Sequence, residues 1–222
     1  MKPWTFLFAL ALVSAGTAVC ASGAPAMAPH GMAMAAGKTD AAAVAAPKLQ
    51  AALRSLWHGH VVHTRDYALA VHAHQPAQAR LAANAVVANA RQIANAVAGF
   101  YGKAAGERML QLLAGHWGGV KALTDARAAN DSAAQDKAMA ALNGNVIEIA
   151  QFLAGANPNL PEPAVQGLLA THVAQHATQI RQIMAGDKQG EQATWAAMQH
   201  HMDVIADTLA AAIAKQFPAK AS

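Results

Sequence analysis

LWHGH at residues 56–60 returns as LLAGH at 112–116 and as LLATH at 168–172, which places His60, His116 and His172 56 residues apart, twice in succession. The offset reaches well beyond the histidines. Leu56, Leu112 and Leu168 stand four residues before them, and Gly59, Gly115 and Thr171 stand one before. Further on, Ile93, Ile149 and Ile205 coincide, as do Ala94, Ala150 and Ala206, and then Val97, Leu153 and Leu209. The chain reads as three copies of one unit. A period of this size is one supersecondary unit that buries its apolar face against its neighbours, and it has room for a helical hairpin.

Composition agrees with an all-helical fold: 55% of the 222 residues are apolar and 13% charged, with alanine, the best helix former, very frequent. The pattern predicts first helices at about 49–74, 105–129 and 162–185, ended by His-Gln-Pro, Asn-Asp-Ser and Gly-Asp-Lys. Second helices fall at about 77–101, 133–155 and 190–216, with apolar residues at 86, 90, 93, 97 and 100 and their equivalents, the 3–4 spacing of a buried stripe. The expectation is one domain over 49–218, made of three repeats at about 49–104, 105–160 and 161–218. Three hairpins can wind into a short solenoid or close about a pseudo-threefold axis. Closure is favoured, because only closure brings equivalent residues together.

The histidines then acquire a chemical meaning. Leu53, Leu56, Trp57, His60, Thr64 and Tyr67 lie three or four residues apart and share a helical face. The same holds for Met109, Leu112, Leu113, His116, Val120 and Leu123, and for Val165, Leu168, Leu169, His172 and His176. In a closed fold three imidazoles converge. Left unpaired, each costs on the order of 1–3 kcal/mol to bury, and a shared cation removes that cost. Neutral imidazole serves zinc and copper alike, so the expected cofactor is a transition metal, zinc or copper. The expected ligands are His60, His116 and His172. His176 joins them through the HxxxH spacing that lets two side chains of one helix reach one ion, and His201 and Glu148 stand as additional candidates from the second helices. Asn89, Asn145 and His201 occupy equivalent positions, as do Asn95, Gln151 and Asp207. Polar groups that persist in this way are either partners of metal-bound histidines or plain interhelical hydrogen bonds.

One helix histidine followed by a later HxxxH resembles the metal-binding DinB-like and hemerythrin-like helical families. The 56-residue repeat is not theirs, and the carboxylate set of a di-iron bundle is missing, so no residue role is carried over from them.

The N-terminus, with Lys2, an apolar run from Thr5 to Val19 and then small residues, has the layout of a signal peptide cleaved after Ala21. Residues 22–48 read as a flexible Ala/Met/Pro-rich linker, in which Met27, His30, Met32 and Met34 offer weak soft ligands. Cys20, the only cysteine, leaves with the leader or carries a lipid anchor. The expected location is therefore the periplasm or the exterior, with no transmembrane segment in the mature chain. The net charge of +4 is scattered singly, which argues against nucleic acid as a partner. No Gly-rich phosphate loop, nucleophile elbow or HExxH is present. The leading expectation is a monomeric metal-binding protein for binding, buffering or delivery. The alternatives are an interaction module with hydrogen-bonded core histidines and a metal-dependent hydrolase using Glu148 or Asp207 as base.

Overall fold

Proline has its φ fixed near the helical value and no N–H to lose, which suits the first turn of a helix. Pro47, Pro76 and Pro163 sit there in three helices of the computed structural model, which describes residues 46–221. The helices are α1 (Pro47–His72), α2 (Pro76–Tyr101), α3 (Lys103–Ala128), α4 (Ser132–Ala156), α5 (Glu162–Ala185), α6 (Lys188–Gln216) and a single turn, α7 (Pro218–Ala221). Six long helices were expected from the periodicity; the short α7 after Phe217 was not. The expected leader, Cys20 and the candidate soft ligands Met27, His30, Met32 and Met34 lie outside the described residues.

The turns inside the three hairpins share one design. His74, Asn130 and Gly186 take positive φ of 54°, 55° and 70°. After each, a backbone N–H reaches back across the helix end: Gln75 to Ala70 O, Asp131 to Ala126 O and Asp187 to Gln182 O, all at 2.9 Å. This is the left-handed cap that satisfies the last free carbonyls of a helix. In two hairpins the following helix is capped at once, because Asp131 accepts from Ala134 N and Asp187 from Gly190 N. Gly102, at φ 89°, makes the tight passage from α2 to α3.

Each long helix packs on the next, α1 also packs on α6, and α1, α3 and α5 touch one another in the middle. The bundle is therefore closed and not a solenoid. The seam between α1 and α6 is marked by Arg54, whose guanidinium donates to both carboxylate oxygens of Asp207 at 2.7 and 2.5 Å. Further along, Arg65 donates to Glu191 at 2.6 and 2.9 Å, and Gln179 adds a third bond at 2.9 Å. Tyr67 ties α1 to α3 through its hydroxyl, which donates to Asp125 at 2.6 Å. Between α2 and α3 the approach is close: a Cβ on Gly106 would lie 2.8 Å from the Ala94 carbonyl oxygen.

The central helices bury Leu53, Trp57 and Val61 from α1, Met109, Leu112 and Val120 from α3, and Val165, Leu169 and Val173 from α5. Val86 and Ile93, Leu142 and Ile149, and Met202 and Ile205 come in from α2, α4 and α6. Among the described residues no helix is long and apolar enough to cross a membrane.

Candidate metal centre

A residue on the core stripe of α1, α3 or α5 points to the middle of the bundle. Where that residue is histidine, an imidazole goes with it. His60 from α1, His116 from α3, and His172 and His176 from α5 meet there, each no more than 3% exposed. The ring centroids of His60, His116 and His172 form a nearly equilateral triangle with sides of 5.6, 5.6 and 5.5 Å. His176 stands off this triangle, 4.3 Å from His172 and 5.8 and 6.0 Å from the other two. One potential ligand atom from each of the four lies within 4.8 Å of all the others. This geometry can hold a metal ion.

Hydrogen bonding leaves the cluster largely unsatisfied. The Nε2 atoms of His172 and His176 are 3.0 Å apart, but both ring nitrogens of His116 and the Nδ1 of His172 are buried without a partner. Buried imidazole nitrogens ordinarily find partners. Burial pushes all four rings toward the neutral form, and mutual repulsion adds to it in His60, His172 and His176. His60 falls to about 3, by burial first and then by the fields of His116 and His63. His116 falls to about 4, with a smaller opposing pull from the Asn145 side chain, although neither of its nitrogens makes a hydrogen bond. Neutral nitrogen lone pairs are what a metal requires.

Not every candidate reaches the cluster. His201 uses its Nε2 on the carbonyl oxygen of Leu168 at 2.8 Å. Glu148 is exposed on α4 and accepts from Arg108 at 3.0 Å. Asp207 is held by Arg54, and His58 lies beside Asp203 at 2.9 Å. His63 is one turn beyond His60, but is not a member of the cluster.

The equivalence of Asn89, Asn145 and His201 has a plain explanation. Asn89 donates to Leu56 O and Asn145 to Leu112 O, both at 3.0 Å, the same attachment that His201 makes to Leu168 O. These residues bind the second helix of a hairpin to a backbone carbonyl of the first. They are interhelical bonds. The glycines follow from this: a Cβ on Gly59 would lie 2.9 Å from Asn89 Nδ2, and one on Gly115 3.2 Å from Asn145 Nδ2. Glycine is present where the asparagine amide crosses the helix, and Thr171 stands where a histidine takes that role.

Two cavities, for which the sequence holds no signal, lie in the core, and the first of them adjoins the cluster. The first, of about 30 Å³, is bordered by His60, His116 and His172 and otherwise mostly by hydrocarbon from Leu113, Val146, Ile149 and others. His176 does not border it. The second, of about 40 Å³, shares Trp57, Leu153, Leu160 and Leu209 with the first and runs to Phe100, Tyr101 and Phe152. Compared with protein-family models, curated proteins and solved structures, the chain matches none.

Proposed function

We propose that this chain is an exported protein that binds one transition-metal ion, zinc or copper, through His60, His116, His172 and His176, and that it binds, buffers or hands on that ion. The observation that carries the reading is the meeting of four neutral, buried imidazoles from three helices with so few hydrogen-bond partners. A tetrahedron of metal–nitrogen bonds at about 2.0–2.1 Å has edges of about 3.3–3.4 Å, so rings whose ligand atoms already lie within 4.8 Å need only a small inward shift.

Charge favours cuprous copper over zinc. The self-energy of a buried ion rises with the square of its charge, and the cluster contributes four neutral ligands and no carboxylate. A monovalent ion suffers least there, and imidazole accepts copper readily. A hydrolytic reading lacks its base, because Glu148 and Asp207 are engaged by arginines away from the cluster.

Elemental analysis by inductively coupled plasma mass spectrometry tests the proposal on the purified protein and on His60→Ala and His172→Ala. About one ion per chain in the parent, lost in both variants, is the expected result. Absence of metal after loading with zinc and with copper would leave the histidines as core residues of an interaction module.

A further inference from the structure

The first cavity opens on one particular side of the cluster. Its wall contains the three histidines of the equilateral triangle and excludes His176. His176 is also the ligand without an equivalent, since Thr64 and Val120 hold its place in α1 and α3. Thr64 there donates to carbonyl oxygens of its own helix. An ion at the cluster would therefore have three symmetrical ligands facing an internal space and one odd ligand behind.

The space selects its occupant by size and polarity. About 30 Å³ accommodates roughly two water-sized bodies. Water needs two or more polar partners to remain in such a cavity, and apart from imidazoles the wall offers little. The hydroxyl of Thr208 already donates to Val204 O at 2.7 Å. Trp57, which borders both cavities, keeps a buried indole N–H with no partner. A small space beside a metal whose wall is mostly hydrocarbon suits a small uncharged diatomic molecule, and the second apolar cavity beyond Leu153 and Leu209 extends that space away from the cluster.

Resting on the metal-binding reading above, we infer that the His60–His116–His172 face is a binding site for a small uncharged diatomic gas, a π-acceptor such as carbon monoxide, nitric oxide or dioxygen, which reaches the ion through the two apolar cavities. Binding there gives a three-histidine cuprous ion with the gas as fourth ligand and His176 released.

The test loads the protein with cuprous copper without oxygen, measures copper per chain, and then admits carbon monoxide while infrared spectra are recorded. One band in the C–O stretching region that shifts with ¹³C-labelled gas is expected. Leu153→Phe, which fills the wall common to both cavities, should keep its copper and lose at least tenfold in carbon monoxide affinity. Ala96→Leu, which narrows the second cavity, should slow association about tenfold, and far-ultraviolet circular dichroism identifies either variant that fails to fold. Copper bound without a carbon monoxide band overturns the inference and leaves the metal-binding reading intact. A band whose affinity and rate are unchanged in folded variants overturns the route. Failure to bind copper at all defeats the metal-binding reading, and this one with it.

Discussion

Among the residues, the four histidines decide most of the behaviour, and their titration is the most direct way to observe them. A group buried in its neutral base form binds fewer protons folded than unfolded, so stability rises with pH wherever the unfolded chain is the more protonated. For His116 that window runs from the ordinary 6.5 down to about 4. Its contribution is complete above 6.5 and is lost as the pH falls, by about 3 kcal/mol at pH 4, taking 1.36 kcal/mol per unit. His60, at about 3, extends the loss further. Urea titration of the metal-free protein from pH 7.5 to 4.5 should therefore show a midpoint that falls steadily through pH 6. A flat profile over that range would mean that the rings are hydrated. Three of these histidines were legible in the sequence through their regular spacing, and His176 through its distance of one turn from His172. His201 was a candidate through its repeat equivalence with Asn89 and Asn145, and Glu148 by chemical type alone. Their surroundings, a carbonyl of α5 in one case and Arg108 in the other, depend on how helices face each other across tens of residues, which no local pattern encodes.

Helices show a different kind of legibility. Their number and approximate ends follow from periodicity, from prolines in first turns and from the turn residues at 74–76, 130–132 and 186–188. Their separation does not, because it depends on which glycines meet a neighbour. Gly106 in α3 faces Ala94 and Ala98 of α2, with a Cβ position 2.7 Å from Ala98 Cβ and 2.8 Å from a backbone oxygen that cannot swing aside. Gly167 in α5 faces open space. Replacing a helix-interior glycine by alanine gains about 1 kcal/mol of helix propensity, whereas overpacking costs about 1–3 kcal/mol. Thermal unfolding should accordingly separate the two: Gly167→Ala raises the midpoint and Gly106→Ala lowers it or leaves it unchanged. If Gly106→Ala proves as stabilising as Gly167→Ala, α2 and α3 do not approach as closely as described.

Only in the whole molecule does closure become important. Equivalence of the three units made closure the favoured arrangement from sequence, and the contact of α1 with α6 completes it. The cavities, by contrast, are what remains after Leu153, Leu160, Leu209 and Trp57 have packed, a small difference between large volumes that the sequence does not display. Closure gives metal binding a reach that a single HxxxH pair lacks. The candidate ligands come from α1, α3 and α5, so an ion bound by them would oppose the opening of all three together. Free metal at a hundredfold excess over Kd stabilises the folded state by about 2.7 kcal/mol, which for a domain of this size raises Tm by roughly 5–10 °C. Amide hydrogen exchange identifies where that stability acts. With copper bound, exchange should slow in the turns around His60, His116 and His172 alike, and His60→Ala should abolish the effect in α3 and α5 as well as in α1. Slowing confined to α5 would show that the ion is held by His172 and His176 alone, two ligands on one helix, and that the threefold meeting of imidazoles is packing without coordination.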